Sequence, residues 1–347
     1  MSAPTVSVVI AAYNGAAWLR ETLASLSAQT FGDWEAVVVD DCSTDHTREL
    51  VRAWPDKRVR LVALERNGGA VHARNRAVAE AHGRYLAALD QDDLCRPQRF
   101  ARQVAWLDAN PDAAGLGTAV ECLADGAVRP SAYPVNTTPG LIDWLLQLEN
   151  PLAWSSMMIR ADAARGLDPF TRPGRIYAED FDLYHRLRAS GRIARLDTPL
   201  LLYRRHAGGM SRHEDRMTTS AALVLAERHA GLPDPERAGA LLARHVMDGR
   251  SVPDRATLAE LGALLSRLQA KHLQAAAPDP ETRRLIQWET AQRWARIGRA
   301  GLRSGTLTLA DVLAVRPAHL GLGYAGIEAH GLSGLVGSGR RLARRHA

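Results

Sequence analysis

The sequence predicts an α/β protein with a mostly parallel, doubly wound sheet covered by helices on both faces, followed by a smaller all-helical region. Apolar runs of strand length alternate with helical patterns four times within the first ninety residues. The connections between them are short and contain turn residues such as Asn14-Gly15. From about residue 214 onwards, helical periodicity replaces this alternation. We therefore expect two domains, residues 1–213 and residues 214–347.

The first half contains four strands that are rich in β-branched and other apolar residues, as expected for strands buried on both faces. They are Val6–Ala11, Trp34–Val39, Val59–Leu64 and Tyr85–Leu89. A helical pattern follows each strand, at about residues 16–28, 43–54, 70–82 and 97–110. Ser43 is the expected N-cap of the second helix, and Asn67-Gly68-Gly69 forms the turn into the third.

Beyond residue 110 the alternation becomes less regular. We expect a strand pair at 113–123 and 128–133, strands at 154–159 and 200–203, and helices at 141–149, 161–165 and 179–190. The helical region is predicted to contain helices at 216–230, 237–247, 256–275 and 281–299. Its basic C-terminal stretch, Gly331–Ala347, contains four arginines beside leucines, a composition that suits the surface of an anionic membrane. The glycines in this stretch favour a solvated tail over a helix.

Acidic residues follow two of the predicted parallel strands. Asp40-Asp41 ends the second strand, and Asp90, Asp92 and Asp93 end the fourth. The carboxyl ends of parallel strands meet at one edge of a sheet, where open α/β folds bind ligands. Carboxylates this close repel each other unless a cation or several donors lie among them, so the pattern indicates a divalent metal shared with a phosphate ligand. By itself, the triplet fits a solvated turn before a helix equally well.

Composition restricts the classes of protein that remain. The chain has 347 residues, 46% of them hydrophobic, with a net charge of +6 and a pI near 9.6, which suits phosphate-bearing ligands. The arginines are scattered and no DNA-binding motif is present, so nucleic acid is not an expected partner. Three cysteines without a CxxC pair fit a reducing compartment, and no signal peptide or spanning segment is evident. We expect a cytoplasmic protein, with the inner face of the cell membrane as an alternative location.

Five strings occur in order along residues 4–212: VSVVIAAYNG, VVVDDCSTD, NGGAVHARN, LDQDD and AEDFDL. Together they resemble glycosyltransferase family 2, the inverting nucleotide-sugar transferases of the Rossmann-like GT-A fold. The resemblance does not extend into the helical region. Processive members of that family carry a Q-x-x-R-W motif. This chain has Arg293-Trp294 but carries Thr290 at the position of the glutamine, so the motif is absent. The resemblance therefore implies a transferase that adds one sugar per encounter.

The resemblance also implies a role for individual residues. The nucleotide-sugar would contact Ala11, Ala12, Tyr13, Asp40 or Asp41, Asn67, Gly68, Arg74, Asp90, Gln91 and Arg204. Mn²⁺ or Mg²⁺ would bind Asp92, with Asp90 and His206 close to it. Asp180 would be the general base, and Glu179 would help to place the acceptor. For Arg74, His206 and the Glu179-Asp180 pair, ordinary structural roles remain open.

The function implied is transfer from a nucleotide diphosphate-sugar, expected to be a UDP-sugar, to a hydroxyl of a saccharide or lipid-linked acceptor in bacterial surface-polysaccharide synthesis. A nucleotidyltransferase or a dehydrogenase would carry a glycine-rich loop after the first strand, where this chain has Ala12-Tyr13-Asn14-Gly15. A GT-A-fold protein that has lost catalysis and serves as a nucleotide-sugar-binding or scaffold protein remains the alternative.

Overall fold

The computed structural model of the chain describes residues 3–130, 134, 136–206, 208–209, 213–320 and 327–345. The chain forms two compact units. The first contains residues 1–142 and 151–212, and the second contains residues 143–150 and 213–347. The short segment 143–150 therefore belongs with the helical unit, although it lies within the predicted first domain.

The first unit is built on a nine-stranded sheet in the order β3-β2-β1-β4-β8-β6-β9-β5, with β7 paired to β6. The strands are β1 (Val6–Ala12), β2 (Trp34–Asp40), β3 (Val59–Ala63), β4 (Tyr85–Ala88), β5 (Leu94–Cys95), β6 (Ala113–Ala124), β7 (Ala127–Pro130), β8 (Met158–Arg160) and β9 (Arg192–Arg204). The four strands β3, β2, β1 and β4 are parallel, as are β6 and β9, whereas β8, β7 and β5 pair antiparallel with their neighbours.

The helices of the first unit follow the strands along the chain. They are α1 (Leu19–Ser27), α2 (Thr47–Arg52), α3 (Ala70–Ala79), α4 (Arg99–Ala109), α5 (Pro139–Leu145), α6 (Ala161–Arg165) and α7 (Glu179–Leu187), of which α5 contributes its last three residues to the second unit. The core includes Val8 and Ile10 of β1, Val38 of β2 and Leu23 of α1, all fully buried. The predicted fold class, an α/β sheet with a helical region after it, is confirmed.

Two strand predictions were wrong in extent. Trp154–Ser156 forms a 3₁₀ turn and only Met158–Arg160 is a strand, because the Ser156 hydroxyl and the Met157 amide close the turn on preceding carbonyl groups. The last strand runs from Arg192 to Arg204 and is much longer than 200–203. Asp197 and Pro199 obscure its apolar pattern, and irregular pairing between Thr118 and Val120 of β6 accommodates them.

The strand pair predicted after residue 110 is present as β6 and β7, joined by a tight turn. Asp125 and Gly126 both have positive φ angles, as a two-residue hairpin requires. Residues 131–133, at the end of the predicted second strand, lie outside the described residues. Residues 207 and 210–212, which follow β9 in the chain, also lie outside the described residues.

The second unit is helical, and capping residues mark where several of its helices begin. The helices are α8 (Glu214–Arg228), α9 (Pro235–Leu241), which continues as a π-helical turn to Met247, α10 (Arg255–Ala276), α11 (Pro280–Ser304), α12 (Leu309–Ala314) and α13 (Ile327–Arg345). The side chains of Asp234, Asp254 and Asp279 each accept a hydrogen bond from a backbone amide three residues later.

Two interactions explain why segment 143–150 groups with the helices of the second unit. The Trp144 Nε1 donates to the Thr290 hydroxyl over 3.0 Å, and both groups are buried. Glu149 forms an ion pair with the buried Arg293 guanidinium. The Arg293-Trp294 sequence is thus part of the packing of the helical unit.

The prediction of a solvated tail for the basic C-terminal stretch was wrong, because α13 is a helix that packs against α11. One of the glycines that argued against a helix, Gly337, makes this packing possible. A Cβ added at Gly337 would collide with the carbonyl oxygen of Leu302 on α11, so only glycine allows the two backbones to approach so closely. In the described part of the chain, no helix is both long enough and apolar enough to cross a membrane.

Candidate functional site

The turn after β4 is held in place by the loop that follows β1. The backbone amide of Tyr13 donates to Gln91 Oε1 over 2.9 Å, and Gln91 Nε2 donates to the Tyr13 carbonyl over 3.1 Å. A Cβ at Gly15 would overlap Gln91 Oε1, so a larger residue there would push the Gln91 side chain away from Tyr13. The Asp90 amide donates to the Ser155 hydroxyl over 3.0 Å. The Gln91 side chain, which the resemblance places at the nucleotide-sugar, is engaged with the backbone of Tyr13.

Arg74 of α3 lies between two acidic residues from different parts of the chain. Its Nη1 donates to Glu179 Oε1 over 2.9 Å, and its Nη2 lies 3.6 Å from Asp90 Oδ1. The guanidinium also stacks over the Trp154 ring, 4.2 Å from the centroid. Arg74 is buried, so it is not the solvated helix residue that its sequence position allowed. It joins the turn after β4 to the first residue of α7.

A second set of contacts joins the turn after β4 to the end of β9. Asp92 Oδ2 lies 2.7 Å from His206 Nε2. The backbone amide of Arg204 donates to Asp93 Oδ1 over 2.8 Å. The side-chain Nε of Arg204 donates to the Asp92 carbonyl, also over 2.8 Å. Arg204 also pairs with Glu21 through Nη2. We call Arg74, Asp90, Asp92, Asp93, Glu179 and His206 the acidic site.

The carboxylates of the acidic site disfavour each other's charge. Burial, together with the neighbouring Asp92 and Glu179, raises the pKa of Asp90 to about 6 even though Arg74 lowers it. Burial and the charges of Asp90 and Asp92 raise the pKa of Asp93 well above its usual value. Asp93 Oδ2 is buried without a hydrogen-bond partner. Additional positive charge at this position would relieve the repulsion.

Glu179 and Asp180 form the first turn of α7, where the helix dipole favours negative charge. Glu179 is buried; its Oε1 pairs with Arg74, and its Oε2 has no hydrogen-bond partner. Asp180 is partly exposed, and its Oδ1 accepts from the Phe181 amide over 2.7 Å. The Asp180 charge also acts on Arg74, so both acidic residues of this turn belong to the same electrostatic environment.

Asp41 and the loop before α3 form a separate hydrogen-bonded group. The Asp41 carboxylate accepts from the Gly68 amide over 2.7 Å and from the Gly69 amide over 2.8 Å. Asn67 Nδ2 donates to the Asp41 carbonyl, and the Asp41 amide donates to the carbonyl of Ala12 at the end of β1. The residues Ala12, Asp41, Asn67 and Gly68 are therefore neighbours. Ala11 lies next to Ala12 in β1.

Asp40 is fully buried and has a different set of contacts from Asp41. Its Oδ2 accepts from the Ser43 amide and forms an ion pair with Arg48. Its Oδ1 is buried and has no hydrogen-bond partner. Asp41 retains 3% of its surface and Asp40 none. Both carboxylates are buried, and Asp41 is slightly the more exposed of the two.

The carboxylate and imidazole groups of the acidic site suit a divalent metal whose coordination is completed by a phosphate. Among the described residues, no group of three His, Cys, Asp or Glu side chains is close enough to hold a metal by protein contacts alone. Mg²⁺ and similar ions are commonly bound by one or two carboxylates, with substrate phosphates completing the coordination. Asp92 supplies such a carboxylate, Asp90 lies in the same turn, and His206 adds an imidazole nitrogen 2.7 Å from Asp92 Oδ2.

Sequence reasoning missed the buried pair Arg99 and Gln103 on α4. Arg99 Nη2 donates to the carbonyls of Ala88 and Met157, each over 3.0 Å, and its Nε donates to Gln103 Oε1. Gln103 Nε2 donates to the Leu116 and Ser156 carbonyls. This pair fixes the end of β4 against the 3₁₀ turn that supplies Ser155. An arginine one residue inside a helix gives no sequence signal that it is buried.

We predict that replacing Arg99 with methionine lowers the free energy of unfolding by about 2–4 kcal/mol, because the buried carbonyls of Ala88 and Met157 and the Gln103 side chain lose the hydrogen bonds that Arg99 donates. Urea denaturation of the variant and of Arg102→Met measures this. Arg102 is exposed on the same helix and donates to the Thr198 hydroxyl, so its replacement is expected to cost less than about 0.5 kcal/mol. Equal effects of the two substitutions would show that Arg99 is not a structural tie.

Comparison with known proteins identifies the family and the class of fold. The sequence model of the family described as Glycosyl transferase family 2 matches residues 7–165. The putative glycosyltransferase EpsE of Bacillus subtilis (strain 168) is 30% identical over 195 residues, covering 55% of this chain and 69% of EpsE.

Two other relatives align over shorter segments. The succinoglycan biosynthesis protein ExoO of Rhizobium meliloti (strain 1021) is 48% identical over 120 residues, covering 35% of this chain and 33% of ExoO. WfgD of Escherichia coli, a UDP-Glc:alpha-D-GlcNAc-diphosphoundecaprenol beta-1,3-glucosyltransferase, is 35% identical over 105 residues, covering 30% of this chain and 42% of WfgD. The chain thus spans less than half the length of these two relatives.

Two solved structures resemble the fold along almost the whole chain. S. aureus TarS 1-349 in complex with UDP-GlcNAc has a TM-score of 0.53 at 19% identity, covering 97% of this chain and 92% of that one. The mannosyltransferase PcManGT of Pyrobaculum calidifontis, in complex with GDP-Man and Mn2+, has a TM-score of 0.52 at 21% identity, covering 96% and 88%. The fold is therefore of the GT-A-like class. Because the family model and the likeness to EpsE agree, the chain belongs to glycosyltransferase family 2, and the resemblance drawn from the sequence is confirmed.

Proposed function

We propose that this protein is a metal-dependent, inverting, non-processive glycosyltransferase that moves a sugar from a nucleotide diphosphate-sugar to an acceptor hydroxyl. The observation that supports it most is the position of Arg74, between Asp90 and Glu179 and thus between the turn after β4 and the start of α7. The Arg74 guanidinium thus holds Asp90, in the turn proposed to face the sugar donor, close to Glu179, in the turn proposed to face the acceptor. A catalytically inactive binding protein has no need of both turns.

The donor is proposed to lie along the carboxyl edge of β1, β2 and β4. Asp41, with the Gly68–Gly69 loop, is the proposed contact for the base, because its carboxylate oxygens each accept only one amide and keep a lone pair for another donor. The backbone of Ala11–Tyr13 borders the same position. A uridine or thymidine base presents the N–H group that such a carboxylate accepts. The TarS and PcManGT structures contain UDP-GlcNAc and GDP-Man, which supports a nucleotide-sugar without selecting the base.

Asp92 and His206 are the proposed metal ligands, with Asp90 beside them. A bound Mn²⁺ or Mg²⁺ would supply positive charge for the diphosphate as it leaves. The high pKa of Asp90 and the unpartnered oxygen of Asp93 are consistent with a turn that is short of positive charge. The Mn2+ in the PcManGT complex supports a metal in a protein of this fold.

Asp180 is the proposed general base. It is partly exposed at the first turn of α7, whereas its neighbour Glu179 is buried against Arg74. Because of this difference in exposure, we assign Asp180 to accept the proton of the acceptor hydroxyl and Glu179 to hold Arg74. A single displacement with one base and no covalent intermediate inverts the configuration at the anomeric carbon.

The proposed acceptor is a saccharide or a lipid-linked saccharide of bacterial surface-polysaccharide synthesis. The printed names of ExoO and WfgD support this, since one refers to succinoglycan biosynthesis and the other to a diphosphoundecaprenol-linked GlcNAc. A location at the inner face of the cell membrane would suit such an acceptor.

Thermal unfolding with a panel of nucleotide-sugars tests the donor and the metal together. We expect a UDP- or dTDP-sugar to raise the Tm when Mn²⁺ is present and to have little effect without it. A ligand at a hundred times its Kd stabilises a protein by about 2.7 kcal/mol, which gives a clear shift. NAD is the negative control. Stabilisation that does not depend on the metal, or stabilisation by NAD, would contradict the proposal.

A further inference from the structure

Helix α13 exposes apolar side chains and buries its small and polar residues. Leu332, Leu335 and Val336 are 65%, 71% and 50% exposed. On the side that packs against α11, His330 and Ser333 are buried, and Gly337 allows the close approach to the carbonyl of Leu302 described above. A surface helix of a globular protein normally has the opposite arrangement, with its apolar stripe facing the core.

The exposed apolar residues of α13 form one surface. Leu332, Leu335 and Val336 are three and four residues apart, so they lie next to each other on one helix face. Helix α12, which contacts α13, also exposes Leu309 and Leu313, which are four residues apart. Single exposed apolar residues are normal, but adjacent ones of this size indicate an interaction surface.

The charge of this helix distinguishes between the possible partners of the surface. Arg340 lies four residues after Val336 and is exposed, with one of its five N–H groups donated to the Arg303 carbonyl. The sequence of α13 contains four arginines and a single acidic residue, Glu328. Apolar residues bordered by positive charge are the pattern of a helix that lies on an anionic lipid surface. A second copy carries the same positive charge and lacks the complementary negative charge that an anionic surface provides, which favours the lipid surface.

We propose that this face of α13, Leu332, Leu335, Val336 and Arg340, docks the protein on the surface of a bilayer that contains anionic lipid. The helix would lie in the plane of the interface, since no described helix is suited to crossing the bilayer. Its leucines would enter the boundary of the acyl chains, and its arginine would face the headgroups. This proposal does not depend on the proposed transferase activity.

Vesicle flotation of the full chain tests the proposal. The vesicles contain equal parts phosphatidylglycerol and phosphatidylcholine, or phosphatidylcholine alone. We expect the wild-type chain to float with the anionic vesicles, and the double variant Leu332→Ser, Leu335→Ser to bind about tenfold or more weakly. The matched control is Leu223→Ser, which removes a leucine that is 49% exposed on α8, and it is expected to bind as the wild type does.

Three further measurements make the test decisive. Binding of the wild type should weaken as the salt concentration rises, because the arginine contribution is screened. The Tm of the double variant should be unchanged, since both leucines are exposed, so a loss of binding cannot be a loss of folding. A wild type that fails to float with anionic vesicles, or a double variant that floats equally well, would overturn the proposal. So would sedimentation showing a dimer that the double substitution dissociates, because a second copy would then cover the leucines.

Discussion

Replacing Asp180 with asparagine is expected to lower kcat by about 10²–10⁴-fold, the usual contribution of a positioned general base. Asparagine has the same shape, and its Oδ1 can still accept from the Phe181 amide, so the first turn of α7 should be preserved. The variant loses the carboxylate that would take the proton from the acceptor, together with the negative charge that acts on Arg74. We expect donor binding, measured as the metal-dependent rise in Tm, to be unchanged. Release of UDP or dTDP from the stabilising donor, with GlcNAc-diphosphoundecaprenol as a first acceptor, measures the rate.

Asp162→Asn is the matched control for this experiment. Asp162 also lies in the first turn of a helix, α6, and its Oδ1 accepts from the following backbone amide over 2.8 Å, as Asp180 does. Unlike Asp180, it does not neighbour a residue of the acidic site in sequence and is not among the charges that act on Arg74, so its replacement should leave kcat unchanged. If Asp180→Asn retains a near-wild-type kcat, Asp180 is not the base. If both variants lose activity together, the effect arises from helix capping and not from proton transfer.

The parallel half of the sheet was predictable because each of its strands is a buried apolar run with a turn on either side. The same reasoning placed Asp40-Asp41 and Asp90–Asp93 at one edge, since parallel strands fix the direction of their carboxyl ends. The individual hydrogen bonds could not be predicted this way. Which loop amides Asp41 accepts, and which backbone Gln91 pairs with, depends on loop conformations that the strand pattern does not determine.

The other errors arise where tertiary packing overrides local preference. Asp197 and Pro199 interrupt the apolar pattern of β9, yet irregular pairing with β6 carries the strand past them. The glycines of α13 lower helix propensity, yet Gly337 permits the contact with α11 that stabilises the helix. Arg99 is a charged residue of ordinary helical sequence, and only the tertiary structure surrounds it with buried carbonyl groups. In each case the deciding partner lies far away in the sequence.

Replacing Asp92 with asparagine is expected to abolish the metal-dependent rise in Tm that the donor produces, and to lower transfer by about a hundredfold or more. Asparagine can still form a hydrogen bond with His206 Nε2, and the contact of Arg204 is to the Asp92 carbonyl, so the link between β4 and β9 should persist. The substitution removes one negative charge from the turn, which relieves the repulsion on Asp90 and Asp93. The folded protein should therefore be at least as stable as the wild type when no metal is present.

These two expectations, greater intrinsic stability together with lost metal dependence, separate a metal ligand from a structural aspartate. Asp125→Asn is the control, because Asp125 is an exposed turn residue with a positive φ angle that asparagine tolerates. That variant should keep both the stability and the metal-dependent shift of the wild type. If Asp92→Asn is less stable without metal and still responds to Mn²⁺ with the donor, then Asp92 serves mainly to hold His206. The metal would then have to be assigned to Asp90, which lies in the same turn and whose pKa is raised to about 6 by burial and neighbouring negative charge.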